Sequence, residues 1–170
     1  MASEIKVDTI VNAGGDNDTG IDLATNDQIL LKVANATKLT MNSTGQTTIV
    51  GEGGTTTTNL QQGLIKVWCT QDGTASNAAA YDSFNVSGTT DNGTGDYTVT
   101  ISNDMSSLNY SVTSGGGQQT GSISSNDIGV FHKSLATGQY GVQGTRFSSG
   151  NNSSLQENTL FNSMVAGDLA

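Results

Sequence analysis

Large apolar side chains are scarce along this chain, and their scarcity limits what the chain can fold into. Leu, Ile, Val and Phe account for 35 of the 170 residues, close to the level at which chains stay disordered. The remainder is rich in Thr, Ser, Asn and Gly, only 12% of residues are charged, and proline is absent. This composition is typical of β structure with many turns. Because copies of a chain can bury each other's few apolar side chains, we expect an obligate oligomer.

The charge balance and the termini exclude several classes of partner. The formal net charge is −9 with only six Lys plus Arg, whereas nucleic acids and anionic membranes attract basic surfaces. The opening MASEIKVDTI lacks the basic segment and apolar core of a signal peptide, and no run of 18 apolar residues occurs. We therefore expect neither nucleic-acid binding nor membrane insertion.

The first third of the chain reads as short strands separated by turns. Residues 4–11 alternate between apolar and polar side chains, and the glycines and aspartates of residues 14–20 then break the pattern. Short apolar segments follow at residues 21–23, 29–33, 39–41 and 47–50. This rhythm is typical of a β-meander or of stacked strand repeats.

A change of architecture is predicted at residues 51–63, GEGGTTTTNLQQG, which are low in complexity and rich in glycine. We expect a first domain at residues 1–62, an extended segment of short β-strands. A second domain is expected at residues 63–170, a small antiparallel β-sandwich or jelly-roll-like knob of roughly seven or eight strands. The predicted fold class is all-β.

Within the second domain the alternating pattern predicts individual strands. Residues 97–101 and 108–112 alternate and are predicted to form one hairpin joined near residues 103–107, with the turn DNGTGD at residues 91–96 before it. The remaining strands are predicted at residues 64–70, 81–87, 128–133, 139–147 and 159–165. Separators are predicted at the glycine run Gly115–Gly117 and at SSGNNSS, residues 148–154.

Residues that could carry catalysis are few. The single histidine, His132, lies in a strand-like segment and is predicted to face solvent, and the single cysteine, Cys69, is predicted to be a small buried side chain. One cysteine excludes an intrachain disulfide or a multi-cysteine zinc site in one subunit. Carboxylate pairs could cleave glycans, but the aspartates of the second domain are interpreted as turn formers. They are Asp72, Asp82, Asp91, Asp96 and Asp104, of which only Asp82 is outside an apparent turn.

A calcium loop is suggested weakly at Asp16, Asp18 and Gly20, with Asp27 at the twelfth position. Ile21 occupies the position where such loops require glycine, and the last ligand is Asp instead of Glu. The glycine-rich stretches also lack a phosphate-binding pattern. We predict no catalytic residue, no cofactor and no metal, and therefore no enzyme.

Two long stretches carry a family resemblance. SEIKVDTIVNAGG with IDLATNDQILLKVANATKLTMNSTGQTTI resembles segments of tail-fibre and related appendage proteins of phages, particularly marine and cyanobacterial phages. AYDSFNVSGTTDNGTGDYTVTISNDMSSLNYSV resembles a domain found near the C-terminus of many such fibres. KVWCTQDG at residues 66–73 replaces the AWVNF-like strand usual there, and the C-terminal FNSMVAGDLA also departs from the pattern.

The resemblance implies a homotrimer that is located in the virion and bound to other virion proteins of the head, neck or tail. It also implies that residues 1–62 carry the virion-attachment segment and form an intertwined β stalk, and that residues 63–170 form the knob. Its expected function is that of a structural subunit of a fibre or appendage, contributing to adhesion to a host-surface glycan through polar loops near Asn92, Gly117 and Asn151. A capsid decoration or cement protein is the alternative. A free carbohydrate-binding module is the third possibility, for which the aromatic residues Trp68, Tyr81 and Tyr140 are widely spaced in the sequence.

Overall fold

The computed structural model describes residues 6–12, 14, 18–75, 79–117, 128–147 and 153–170. The chain forms two compact units, residues 1–63 and residues 64–170. We call them the sheet unit and the sandwich unit. Both consist of antiparallel sheets, and the described residues contain only one short helical turn, so the prediction of an all-β fold is confirmed.

The sheet unit is a six-stranded antiparallel sheet in which each strand pairs with the next one along the chain. Its strands are β1 (Thr9–Val11), β2 (Gly20–Asp22), β3 (Gln28–Val33), β4 (Ala36–Asn42), β5 (Thr47–Val50) and β6 (Thr57–Asn59). The helical turn α1 (Leu60–Gly63) follows β6. Of the two arrangements that the strand spacing allowed, the meander is the one that forms.

Local turn chemistry explains why the strands reverse where they do. Ala34 and Asn35 both have positive φ, 51° and 57°, which is the pattern of a two-residue turn whose twist matches that of the flanking strands. In the next turn the Asn42 Oδ1 accepts a hydrogen bond from the backbone N–H of Gln46 at 2.9 Å, and Gly45 has a φ of 78°. Short polar side chains and glycine therefore set the register of the meander.

The segment at residues 51–63, predicted as a linker or a change of architecture, contains β6 and α1. The side chain of Gln61 anchors α1 to the sheet: its Oε1 accepts from the Thr47 N–H at 2.9 Å and its Nε2 donates to the Gly45 carbonyl at 2.7 Å. Strand β6 was not predicted, because four consecutive threonines show no alternation of apolar and polar side chains.

The sandwich unit contains two antiparallel sheets. Its strands are β7 (Ile65–Gln71), β8 (Ala80–Phe84), β9 (Val86–Asp91), β10 (Asp96–Ile101), β11 (Ser111–Gly117), β12 (Ile128–Ala136), β13 (Gln139–Phe147), β14 (Ser153–Leu155) and β15 (Leu160–Ala166). One sheet has the order β12-β13-β10-β9, with β14 also paired to β13, and the other has the order β11-β15-β7-β8.

The two sheets of the sandwich unit pack face to face around one core. Its buried side chains come from both sheets: Val67, Cys69, Tyr97, Val99, Ile101, Met105, Tyr110, Val112, Tyr140, Val142, Phe161 and Val165. The rings of Tyr97 and Phe161 meet edge to face with centroids 4.8 Å apart. The hydroxyls of Tyr140 and Ser163 are hydrogen-bonded at 2.7 Å. This unit therefore has the core that the predicted sandwich required.

Three local predictions for this unit were wrong. Residues 97–101 and 108–112 do not form a hairpin, because β10 pairs with β9 and β13 while β11 pairs with β15 in the opposite sheet. The glycines Gly115–Gly117 end β11 instead of separating two strands. The single strand expected at residues 81–87 is divided at Asn85, whose φ of 57° turns the chain from one sheet to the other.

Candidate functional site

The two residues best suited to nucleophilic or metal chemistry are apart in the fold. Cys69 is 2% exposed within the core, and burial raises the pKa of its thiol to about 11, the opposite of what a reactive cysteine needs. His132 is exposed on β12, in the other sheet. The predictions that Cys69 is buried and that His132 faces solvent are confirmed.

The aspartates of the sandwich unit have structural partners. The Asp72 Oδ1 accepts from the N–H and the hydroxyl of Thr74 at 2.8 and 2.7 Å, and these bonds lower the pKa of Asp72. The Asp91 Oδ1 accepts from the Gly93 N–H at 2.8 Å in the β9–β10 turn. Asp96 at the start of β10 forms an ion pair with Lys133. A glycosidase acid requires a raised carboxyl pKa, and that of Asp72 is lowered.

The other two candidate aspartates, Asp82 and Asp104, are both exposed to solvent. Asp82 lies exposed in β8, and its Oδ1 accepts from the Ser83 N–H at 2.8 Å. Asp104 lies exposed in the segment between β10 and β11, where its backbone carbonyl accepts from the Ala170 N–H at 2.9 Å.

Two aspartates of the weak calcium pattern, Asp18 and Asp27, lie in the described part of the chain. Asp16 lies outside the described residues, Asp18 accepts from the Thr19 hydroxyl at 3.0 Å, and Asp27 is exposed in the turn before β3 with a φ of 60°. Throughout the described ranges, no three His, Cys, Asp or Glu side chains lie together as metal ligands would. In the same ranges no helix is long and apolar enough to cross a membrane.

Among the cavities on the sheet unit is a shallow one of about 100 Å³, with Thr9, Asp22, Lys32 and Asn35 in its lining. Its charged groups are already paired, since the Lys32 Nζ donates to the Asp22 Oδ2 at 2.5 Å and lowers the pKa of that carboxyl. A ligand would have to compete with this ion pair, so the cavity offers little to bind.

The prominent feature of the sheet unit is a continuous apolar row across one face. Residues directly opposite each other on antiparallel strands point to the same face, so the strand register defines the row. Its members, one from each strand from β1 to β6, are Ile10, Ile21, Leu31, Leu39, Ile49 and finally Thr58. A shorter row, Ile29, Met41 and Thr47, lies beside it on the same face. We call this surface the apolar face.

No described residue of the sheet unit is buried. Ile10 is 53% exposed and Leu31 is 39% exposed although both lie on the apolar face. The opposite face contains the row Thr9, Asp22, Leu30, Thr40, Thr48 and Asn59 together with Lys32. The sheet is therefore amphipathic, and the described side chains of its apolar side are exposed or half-buried.

A second exposed surface lies on the outer side of the sheet β11-β15-β7-β8. The register places Thr113, Met164, Trp68 and Phe84 in one row across all four strands. Phe84 and Met164 are about half exposed, and Trp68 between them is half-buried. We call these four residues the aromatic row. The adjacent row, Asn162, Thr70 and Asp82, is polar.

The aromatic residues and loops singled out in the sequence lie in different environments. Tyr140 is buried in the core, whereas Tyr81 on β8 is 46% exposed and hydrogen-bonded to Asp72, which raises the pKa of Tyr81. Asn92 lies exposed in the β9–β10 turn and Gly117 ends β11, while Asn151 lies outside the described residues. Sequence reasoning missed both rows, because a row depends on register between strands.

Comparison with protein-family models, with curated proteins and with solved structures finds no match. We therefore infer the function from two surfaces of the protein, the apolar face and the aromatic row.

Proposed function

We propose that this chain is a non-enzymatic structural subunit of a phage fibre or appendage, located in the virion and assembled as a homotrimer. Residues 1–62 would attach to other virion proteins and form the stalk, and residues 63–170 would form the knob. The observation that carries the proposal is the contrast between the two units. The sandwich unit has its own core, whereas no described residue of the sheet unit is buried. A single-layer sheet needs its apolar face covered to be stable.

The resemblance to phage appendage proteins supports the location, and the chemistry of the chain supports a mechanical role. Association would supply the buried area that the sheet unit lacks. Three knobs on one stalk would also multiply weak surface contacts, since later contacts become effectively intramolecular.

The test of location is immunogold electron microscopy of purified phage particles with antibodies against the whole chain. Labelling of thin projections at the neck, tail or head surface supports the fibre function. Even labelling over the whole capsid would favour the alternative, a decoration or cement protein, and absence of label from intact particles would overturn both.

The test of assembly is the mass of the purified chain by size exclusion with light scattering. Three copies of the 17.4 kDa chain predict a mass of about 52 kDa. A folded monomer at micromolar concentration would contradict the trimer and would favour the third possibility, a free carbohydrate-binding module.

The aromatic row favours a second, additional function, adhesion to a host-surface glycan. Aromatic rings stack on the apolar faces of sugars, and amide, hydroxyl and carboxylate groups bind sugar hydroxyls. Trp68 and Phe84 lie beside Thr70 and Asp82, so both kinds of group are adjacent. Because the chain carries a net charge of −9, the saccharide should be neutral.

Trp68 is the only tryptophan of the chain and therefore reports on this surface directly. We expect a saturable shift of its fluorescence when the full-length protein is titrated with a neutral polysaccharide such as mannan or dextran, and none with anionic polygalacturonate. Phe84→Ala should weaken the response, whereas Leu108→Ala, which removes a side chain that is 57% exposed elsewhere, should not. A flat titration with both neutral polysaccharides would contradict adhesion through this row.

A further inference from the structure

We infer that copies of this chain associate through the apolar face of the sheet unit, sheet against sheet, with the apolar row at the centre of the contact and without exchange of strands. This inference rests on the proposed homotrimer and identifies the surface by which it forms. The partner is another copy of the same chain.

The strand pairing within the chain favours contact through a face over exchange of strands. All six strands of the sheet unit are paired in sequence order, β1 to β6, so the central strands have both edges occupied by their own neighbours. An intertwined stalk in which chains exchange strands would have to break these pairs. Association through side chains on a face breaks none of them.

Exposed apolar side chains alternate with less exposed residues along β3. On β3, Ile29, Leu31 and Val33 are all more than a third exposed, and they alternate with the half-buried Leu30 and Lys32. Soluble proteins rarely leave an apolar surface of this kind uncovered unless it is an interaction site. Since no described side chain of the sheet unit is buried, the unit gains a core only when this face is covered.

The absence of charge from the apolar face is compatible with a second copy of the same chain as the partner. Each copy carries a net charge of −9, so two copies repel each other over most of their surfaces. The rows from Ile10 to Thr58 and from Ile29 to Thr47 contain no charged residue. The opposite face carries Asp22 and Lys32, which are already paired with each other. Copies that meet with these two rows at the centre of the contact would place no charged side chain there.

Two neighbouring residues in β4 provide a matched test. Leu39 lies in the apolar row between Leu31 and Ile49, whereas Thr40 lies on the opposite face between Leu30 and Thr48. The full-length variants Leu39→Asp and Thr40→Asp add the same charge one residue apart. We expect light scattering to give the mass of a single chain for Leu39→Asp and the unchanged oligomer mass for Thr40→Asp at the same concentration.

Trp68 emission verifies that the sandwich unit of each variant is still folded, since the only tryptophan belongs to that unit. If Leu39→Asp keeps the oligomer mass, or if both variants dissociate equally, the assignment of this face is overturned.

A cysteine pair tests proximity without adding charge to the sheet. Leu39→Cys should form a disulfide between chains under mild oxidation, giving a covalent dimer on a non-reducing gel, whereas Thr40→Cys should stay monomeric on that gel. The native Cys69 is buried and does not compete. Cross-linking that is equal at both positions, or absent at both, would contradict the inference.

These outcomes are separate from those that test the proposed function. A wild-type trimer whose mass is insensitive to Leu39→Asp would overturn the face and leave the fibre function standing. Absence of the protein from virions would overturn the function and leave the face standing.

Discussion

Tyr97 illustrates how a polar atom is accommodated in the small core of the sandwich unit. Its ring is completely buried against Phe161, and its hydroxyl donates a hydrogen bond to the Gly73 carbonyl. A buried carbonyl that loses its donor keeps the cost of desolvation without the compensating bond. The hydroxyl should therefore matter although the ring provides most of the packing.

Tyr97→Phe should lower the free energy of unfolding of the sandwich unit by about 1–2 kcal/mol, because it leaves the Gly73 carbonyl unpaired while retaining the ring contacts. The measurement is urea denaturation of the full-length chain followed by Trp68 fluorescence. Tyr81→Phe is the matched control: it removes the hydroxyl of a half-exposed tyrosine, whose bond to Asp72 competes with water, so it should lower the denaturation midpoint less than Tyr97→Phe. Equal midpoints for wild type and Tyr97→Phe would contradict the assigned role.

The same core predicts a loss of stability at alkaline pH. Burial raises the pKa of Cys69 from 9.0 to about 11 and that of Tyr97 from 10.0 to about 12, and it also raises the pKa of Tyr140. As pH rises above 9, the unfolded chain releases these protons first while the folded chain retains them. The unfolded state then binds fewer protons, so the free energy of unfolding falls between pH 9 and 12.

Urea midpoints from Trp68 fluorescence at pH 8, 9.5 and 11 measure this slope. Tyr140→Phe removes one of the buried acids and should flatten the slope, even though it also lowers stability at neutral pH by removing the bond to Ser163. A midpoint that does not change up to pH 11 would show that these groups do not resist ionisation in the folded state.

At the scale of elements, Asn85 is the residue that divides one predicted strand into two. Its φ of 57° joins β8 in one sheet to β9 in the other, and its side chain secures the corner. The Asn85 Oδ1 accepts from the Asn103 N–H at 2.8 Å, and the Nδ2 donates to the Lys66 carbonyl at 3.1 Å. Asparagine tolerates this backbone region better than other non-glycine residues.

Asn85→Ala should destabilise the sandwich unit by about 2–3 kcal/mol, because it adds left-handed backbone strain and removes the side chain's hydrogen bonds to Lys66 and Asn103. Asn85→Gly tolerates the backbone angle but loses the same bonds, so it should cost less than alanine. Thermal unfolding of the three full-length proteins separates the two contributions. If alanine and glycine are equally destabilising, the corner depends on the side chain alone.

Strands were predictable from the sequence to the extent that their signal is local. The alternation of Tyr97, Val99 and Ile101 predicted β10, and β13 was predicted with its observed bounds, Gln139–Phe147. The pairing of β10 with β13 was not predictable, because it joins segments about 40 residues apart and depends on which side chains the core selects. The predicted hairpin was wrong for this reason: residues 97–101 and 108–112 are close in sequence, but their strands do not pair with each other.

At the scale of the whole molecule, the scarcity of large apolar residues has two different consequences. The sandwich unit gathers twelve buried hydrophobic residues into one core, whereas most apolar residues in the strands of the sheet unit lie on one face and no described residue of that unit is buried. Composition predicted the need for association. The apolar face could be identified only once the strand register was known, since Ile21 and Leu31 become neighbours only when β2 and β3 pair.

This division predicts that the two units unfold differently as the protein is diluted. If the sheet unit obtains its core from other copies, its unfolding midpoint must depend on protein concentration by mass action, whereas a unit with its own core has a midpoint independent of concentration. We expect the sheet transition to rise by about 5–10 °C over a hundredfold increase in concentration. The sandwich transition should stay constant.

The two transitions can be followed in one sample, because far-ultraviolet circular dichroism detects the strands of both units and fluorescence detects only Trp68 in the sandwich unit. A circular dichroism transition that moves with concentration beside a fluorescence transition that does not is the expected result. If both stay fixed over the range, the sheet unit is stable without partners. If both move together, the sandwich unit also depends on association, and its aromatic row becomes a contact between copies instead of a free surface for saccharide.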